Sequence, residues 1–258
     1  MGLYKYLPEP SGRMGLLWTV GTVGESAVLE FGSMGHMIYA DRWLSLTGAD
    51  NRSKLYTTHI DEKDIALGIT SRLTQAMEEI IRTDYPGAVF VLPSVIPEII
   101  GTDLSFLCEE LQNQYEDVPI ISFRHGGFQD KLTAGVEEGL YQLVRRLPEI
   151  TDRTAKRTFN IIGSCADQKS FRADAEELVR LCDEIFAMEP VCILTSDTTV
   201  SKIKQMGSAH VNLVLRREGV KAAGHLQERF GIPYLYGEIC GGAGTAEWIK
   251  QLKELLHP

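Results

Sequence analysis

His36 stands in the segment Gly32 to Ala40 (GSMGHMIYA), which also contains Ser33. The apolar run Ser26 to Phe31 (SAVLEF) precedes this segment and predicts a strand, and a helical pattern follows it. A strand, a glycine-containing turn and a helix start can together bind a ligand, because main-chain N–H groups and the helix dipole face the same point. The imidazole of His36 could bind a metal ion or another ligand there, or it could serve only in packing or at an interface.

Further polar side chains follow other predicted strands of the chain. These candidates are Ser94, Arg124, His125, Glu238 and Cys240. Open parallel sheets bind ligands at the carboxyl ends of their strands, so we predict that these side chains, with Ser33 and His36, line one binding edge. Arg124 is the best anchor, since a guanidinium group binds a carboxylate or phosphate through two parallel hydrogen bonds. The alternatives are a solvated turn or salt bridge for Arg124 and His125, and an inert thiol for Cys240.

Several well-known catalytic motifs are absent from the sequence. The segment Gly163 to Ser170 (GSCADQKS) ends in Lys-Ser like a phosphate loop, but Gln168 occupies the position where that loop needs a glycine. The short glycine pairs GTVG and GGAG lack the rest of a dinucleotide fingerprint. Neither G-x-S-x-G nor H-E-x-x-H occurs, which leaves hydrolase and simple zinc-enzyme functions without support.

Apolar, β-branched runs alternate with amphipathic stretches along the chain. The predicted strands are 26–31, 88–94, 118–123, 159–164, 191–195, 211–215 and 233–237. The predicted helices are 96–114, 132–147, 170–185, 219–230 and 245–256. Repeated strand–helix units predict an α/β fold with parallel sheets flanked by helices. The polar segment 148–158 is interpreted as a linker, which divides the chain into two Rossmann-like lobes, residues 1–152 and 153–258.

Composition excludes several classes of partner and location. The chain carries 26 basic and 35 acidic side chains, a net charge of −9, and it contains no basic run interleaved with aromatics, so nucleic acid is not an expected partner. No apolar run approaches the ~20 residues of a transmembrane helix, and no secretory signal is evident, so we expect a cytoplasmic protein without a membrane partner. The five cysteines are scattered, which is typical of reduced, buried thiols.

Seven segments, in order, resemble the component 1 type subunits of the nitrogenase superfamily. They are FGSMGHMIY, THIDEKDIALG, PSVIPEIIGTD, ISFRHGGF, NIIGS, HVNLVL and the run from Leu226 to Thr245. That family includes molybdenum–iron protein subunits, cofactor-assembly scaffolds, the dark-operative protochlorophyllide reductase and a nickel-tetrapyrrole cyclase. The resemblance implies two of the family's Rossmann-like domains; the third, which closes over the cofactor, has no counterpart in this sequence. We therefore expect an open cleft between the lobes that holds an anionic ligand, with Gly163 to Cys165 on its second-lobe side.

The resemblance also implies where an iron–sulfur cluster would lie. Family members hold it with cysteines from three places, which here align with Ser11, His36 and Val95. No cysteine stands at any of the three, so we predict no conventional three-cysteine iron–sulfur site and retain His36 as the one candidate metal ligand. The family's helix with a cofactor-facing histidine corresponds to LTAGVEEGL, where Val136 and Glu137 stand near that position.

Two functions follow from the resemblance. In the first, the chain is an oxidoreductase subunit that acts on or carries a metallocofactor or tetrapyrrole-like ligand and receives electrons from an ATP-dependent iron–sulfur reductase. In the second, it is a non-catalytic metallocofactor-binding, carrier or scaffold protein that has lost the cluster. Either way the resemblance implies a homo- or heterodimer that pairs near Ser11 to Tyr39.

Overall fold

The structure of the protein is a computed structural model. It describes residues 10–32, 35–46, 52–124, 130–237 and 239–256; the side chains of residues 36, 66 and 67 are outside this description. In the described residues the helices are α1 Gly12–Val20, α2 Gly35–Leu46, α3 Glu62–Leu67, α4 Thr70–Asp84, α5 Val95–Ile99, α6 Leu104–Gln114, α7 Leu132–Arg146, α8 Phe171–Phe186, α9 Val200–Lys204, α10 Val220–Phe230 and α11 Gly241–Leu256. The strands are β1 Val23–Gly24, β2 Ser26–Phe31, β3 Lys54–Thr57, β4 Ala88–Pro93, β5 Ile120–Ser122, β6 Thr158–Ser164, β7 Glu189–Thr195, β8 Thr198–Thr199, β9 Val211–Val214 and β10 Tyr234–Tyr236.

Two four-stranded sheets organise the molecule, and all their strand pairs are parallel. The first has the order β3-β2-β4-β5 and the second the order β10-β9-β6-β7. Helices flank both sheets, which confirms the predicted α/β class. The first sheet lies before residue 152 and the second after it, but the division into two domains at that residue stays a prediction. By the first and second lobe we mean the parts of the chain that contain the first and the second sheet.

Alternate residues of each strand pack on opposite faces of its sheet. In the first sheet, Val28 and Phe90 belong to a core shared with α1 and α7, whereas Leu29 and Val91 pack with the apolar faces of α4 and α6. This alternation follows from the two-residue period of a strand. The core of Val28 also contains Ile162 from the second sheet, together with side chains of α10, so one continuous apolar interior underlies both lobes.

Polar contacts also join the two lobes. Strands β1 and β8 pair in parallel, with Val23 opposite Thr198. The carboxylate of Glu25 accepts hydrogen bonds from the main-chain N–H of Ser201 (3.0 Å) and from its hydroxyl (2.6 Å). The indole N–H of Trp43 donates to the carbonyl oxygen of Ala166 at 3.2 Å. The lobes are therefore fixed to each other by polar contacts as well as by the shared core.

The element boundaries differ from the sequence prediction in two informative places. The helix predicted over 96–114 is two helices, because Gly101 adopts a positive φ of 71° and Asp103 then caps α6 by accepting from the N–H of Phe106. Helix α11 begins at Gly241 and not at Thr245, so Cys240 lies directly before its first turn. Helices α1, α3, α4 and α9 were not predicted. None of the described helices is long and apolar enough to cross a membrane.

Candidate functional site

A buried ion pair joins the first turn of α1 to the end of β2. Arg13 pairs with Glu30, and each side chain is only 1% exposed. Burial lowers the pKa of Arg13 to about 10, and the carboxylate of Glu98 on α5 acts in the opposite direction. At neutral pH the guanidinium therefore remains charged. The pair and Glu98 thus join α1, β2 and α5. Ser11 directly precedes α1, the segment of His36 follows β2, and Val95 is the first residue of α5.

The ends of β2 and β4 approach each other closely beside Glu30 of this ion pair. These two strands are neighbours, and the chain continues from β2 to β3 on one side of them and from β4 to β5 on the other. Parallel sheets bind ligands at such a point, where the strand order reverses. The N–H of Gly32 donates to the hydroxyl of Thr58 at 2.9 Å, and the N–H of Ser94 donates to the carbonyl of Phe31 at 3.1 Å. A Cβ at residue 32 would overlap Ser94 Oγ, so this close approach of the two strand ends requires glycine there. Ser94 is buried, and its hydroxyl has no hydrogen-bond partner among the described residues.

Arg124 lines a groove of about 780 Å³ along the outer edge of β5. Helix α6 forms one wall and α7 the other, and the main-chain N–H of Arg124 donates to Glu138 Oε1 on α7 at 2.8 Å. The volume lies within the usual range of small-molecule sites. Basic side chains lie on the α7 side, at Arg145 and Arg146, whereas the α5–α6 side is acidic. Opposite walls of the groove thus carry opposite charges.

The position of this groove differs from the cleft expected between the lobes. Every residue that lines it comes from the first lobe. The physical reason is that β5 is the edge strand of its sheet, so the space beside it is bounded by the helices before and after that strand. Pro93, which precedes Ser94, also lines the groove. The ligand-binding roles of Ser94 and Arg124 stay predictions.

Cys240 lines a separate pocket of about 350 Å³ at the strand ends of the second lobe, together with Ser164 and Leu215. Its thiol is exposed, whereas the other four cysteines are buried. Burial raises the pKa of Cys165 to about 11 and the pKa values of Cys108, Cys182 and Cys192 to about 12. Those four therefore remain protonated thiols at neutral pH.

The remaining predicted site residues can be placed only in part. Ser33, His125 and Glu238 lie outside the described residues, and of His36 only the main chain is described, in the first turn of α2. Among the described candidates, Arg124 and Ser94 lie near one groove of the first lobe, while Cys240 lies in a pocket of the second. The structure does not gather these three into one site.

Sequence reasoning missed the charged side chains that the fold buries. Arg13 and Glu30 are one case. Arg216 is another: its Nη1 contacts both carboxylate oxygens of Asp167 at 2.8 and 2.9 Å, and its Nε donates to Glu218 at 2.9 Å. A sequence signal could have revealed Glu30, which is a charged residue inside the apolar run SAVLEF. A charged side chain in a buried strand needs a buried partner.

The donor groups do not fit an iron–sulfur cluster of the usual kind. Ser11 offers a hydroxyl and Val95 an aliphatic side chain, whereas such clusters take thiolates. Arg13, two residues after Ser11, forms the buried ion pair with Glu30. Within the described part of the chain, no group of three or more histidine, cysteine, aspartate or glutamate side chains could hold a metal ion.

Two curated proteins are similar in sequence to most of this chain. It is 26% identical over 223 residues to the nitrogenase iron-molybdenum cofactor biosynthesis protein NifE of Bradyrhizobium diazoefficiens, a match that covers 84% of this chain and 39% of NifE. It is 30% identical over 207 residues to a subunit of the light-independent protochlorophyllide reductase of Jannaschia sp., with 80% and 39% covered. The chain thus spans about two fifths of the length of these relatives.

A solved structure and a family model agree with this likeness. The structure described as Nitrogenase Cp1 at pH 5 superposes with a TM-score of 0.80 over 98% of this chain and 54% of that one, at 19% identity, which shows a shared fold. The family model described as Nitrogenase component 1 type Oxidoreductase matches residues 11–258. The resemblance read from the sequence is confirmed, and the chain belongs to the nitrogenase component 1 type oxidoreductase family.

Proposed function

We propose that this chain binds and carries a metallocofactor or a tetrapyrrole-like ligand without an iron–sulfur cluster of its own. One observation carries the proposal: the segments of Ser11 and Val95 meet around the buried Arg13–Glu30 ion pair and offer no thiolate. A subunit that must relay electrons through a cluster needs such ligands. A binding or scaffold protein does not.

The names of two relatives support the ligand class in this proposal. The name of NifE refers to cofactor biosynthesis, and the other relative is named as part of a reductase for protochlorophyllide. Because this chain spans only part of each, their activities indicate a ligand class and not a reaction. From these names we infer a ligand with a metal or a tetrapyrrole ring, and from the arginines that line the groove along β5 we infer an acidic group on it.

The groove along β5 is the proposed place for the acidic group of that ligand. Arg124 is exposed at the carboxyl end of the strand, and Arg145 and Arg146 at the end of α7 also line the groove. A guanidinium group binds a carboxylate by two parallel hydrogen bonds, which fixes orientation as well as affinity. Arg124 therefore anchors the carboxylate, while the bulk of the ligand extends from the groove.

A second candidate function is that of a catalytic oxidoreductase subunit. The observation in its favour is the 30% identity to part of a protochlorophyllide reductase. In that case the chain acts with a partner subunit and with an ATP-dependent iron–sulfur reductase, and the partner supplies the electron-relay cluster.

The decisive experiment combines purification with a binding assay. The protein is purified anaerobically, its absorption is recorded, and it is titrated with protochlorophyllide while ring fluorescence is followed. We expect a colourless protein that binds the ring. A brown protein with cluster absorption would support the catalytic function instead, and the absence of any binding would contradict the proposed ligand class.

A further inference from the structure

Four cationic side chains gather where α7 of the first lobe packs beside α10 of the second. We call this set the basic surface; it consists of Arg145, Arg153, Lys221 and Arg229, all exposed. Arg229 Nη1 donates to the carbonyl oxygen of Arg145 at 3.2 Å, which places the ends of the two helices together. Arg153 Nη2 donates to the carbonyl oxygen of Phe230 at 3.2 Å and adds its charge beside them.

Lys221 continues the basic surface along α10. Its Nζ lies 4.4 Å from the centroid of the Tyr141 ring, and that ring contacts His225 edge-on, with the centroids 5.9 Å apart. Burial lowers the pKa of His225, and Arg229 and Arg145 lower it further against the opposing effect of Glu228. This shift and the hydrogen bond between Arg229 and Arg145 both place the two arginines near His225.

None of the four cations forms an ion pair with a carboxylate among the described residues. Elsewhere in the same chain Arg72, Arg82 and Arg180 pair with nearby acids. The chain as a whole has a net charge of −9, so carboxylates are abundant. Gathering exposed cations without carboxylate partners is unfavourable for the isolated protein because like charges repel. An external anion relieves that repulsion.

We propose that the basic surface docks a short acidic segment of a partner protein. Guanidinium groups recognise carboxylates in two-point fashion, and several lie here within reach of one segment. A long polyanion such as nucleic acid fits less well, because it extends beyond the basic surface onto a protein whose net charge, −9, is negative like its own. Since screening limits exposed charges to a range of about 10 Å at 0.1 M salt, a compact acidic segment gains the attraction without the repulsion.

Docking at this surface is separate from ligand binding in the groove. Arg145 lines both, but Lys221 and Arg229 do not line the groove. Variants at these two positions test the docking surface alone, so its failure is distinguishable from failure of the proposed ligand site.

The test measures anisotropy of a fluorescein-labelled decaglutamate peptide with the whole chain at low salt. We expect binding that weakens as salt is raised, and a roughly tenfold loss of affinity in the Lys221→Gln, Arg229→Gln double variant. The matched control is Lys63→Gln, Lys253→Gln, which removes the same charge from exposed positions elsewhere and should bind like the unaltered protein. The single variant Arg153→Gln checks the same surface should the double variant fail to fold.

Three outcomes would overturn the proposal. The first is that the peptide does not bind, and the second is that the control and the double variant lose affinity equally. The third is that an oligothymidylate of matched length binds the basic surface more tightly than the peptide, which would identify a nucleic-acid site.

Discussion

The guanidinium of Arg13 and the carboxylate of Glu30 form an ion pair in which both side chains are almost completely buried. A charge removed from water this far is tolerated only with a partner, since desolvation of a lone buried ion costs several kcal/mol. The pair therefore holds the start of α1 against the end of β2 at the place where family resemblance puts cluster ligands.

Replacing Glu30 with Gln should strongly destabilise the fold, because it leaves the Arg13 charge buried without its partner. We expect the free energy of unfolding to fall by ~3–5 kcal/mol in urea titrations. The double variant Arg13→Met, Glu30→Gln should recover much of this loss, since no buried charge remains. If the free energy of unfolding of Glu30→Gln lay within about 0.5 kcal/mol of that of the unaltered protein, the role assigned to the pair would be wrong.

Iron–sulfur reconstitution should not yield a stoichiometric cluster. The reason is the donor set of Ser11, His36 and Val95, which contains no thiolate. The measurement is iron and sulfide content, with absorption spectra, after anaerobic treatment of the purified protein. Values near roughly four irons and four sulfides per chain or per dimer would disprove this prediction.

The protein should form a dimer through the face that includes α2. Ile38 and Tyr39 of α2 are apolar side chains that are 61% and 57% exposed there. An obligate interface of this kind buries well over ~1,000 Å². Light scattering at tens of micromolar should therefore report two chains.

Ile38→Glu should shift this dimer towards monomer, because a charge would be buried in the interface. The matched control is Ile150→Glu, since Ile150 is 89% exposed in the segment between the two sheets. A strictly monomeric mass for the unaltered protein, or equal behaviour of both variants, would count against this interface.

Arg124→Ala should weaken binding of a carboxylated tetrapyrrole by ~1.5–3 kcal/mol, the range of a hydrogen bond to a charged group. The fold should survive, because the Arg124 side chain is exposed. Fluorescence titration measures the change, and Arg217→Ala, an exposed arginine of the second lobe, is the control. Unchanged affinity in Arg124→Ala would show that the ligand is held elsewhere.

Acid should weaken the contact between Glu25 and Ser201. Partial burial pushes the pKa of Glu25 upward, but the hydrogen bonds from Ser201 outweigh this and hold it below the ordinary value of 4.5. A lowered folded-state pKa contributes stability above the unfolded pKa, and that stability is lost as pH falls through the folded value. Below about pH 4.5, Glu25→Gln should therefore lose stability less steeply than the unaltered protein, as measured by urea titration. If the free energy of unfolding of Glu25→Gln and of the unaltered protein fell equally steeply with pH, this prediction would be wrong.

The sequence was sufficient to predict the α/β fold, because buried parallel strands such as Ala88 to Pro93 appear as continuous apolar runs between turn signals. Helix α1 was missed for a related reason: all nine of its residues are buried, so it lacks the polar face by which a helix is recognised. Helix α4 does show apolar spacing, at Leu73, Met77 and Ile80, and could have been found.

The site was harder to predict because it depends on pairings distant in sequence. Arg13 and Glu30 come from different elements, and nothing local in either segment identifies the other as its partner. Arg124 was correctly placed after a strand, but whether that strand is central or at the edge depends on sheet order. Strand order is decided by packing of the whole chain, which is why the groove along β5 was not expected.

The apolar interior shared by both sheets limits how this protein can move and how it can be divided. Val28 and Phe90 of the first lobe belong to the same core as Ile162 of the second. Separating the lobes would expose these apolar side chains to water, which is unfavourable. Either lobe expressed alone should therefore aggregate, and the two should unfold in a single cooperative transition. Adaptation to a ligand must then occur in side chains and segments at the strand ends, because hinge opening between the lobes would break the core itself.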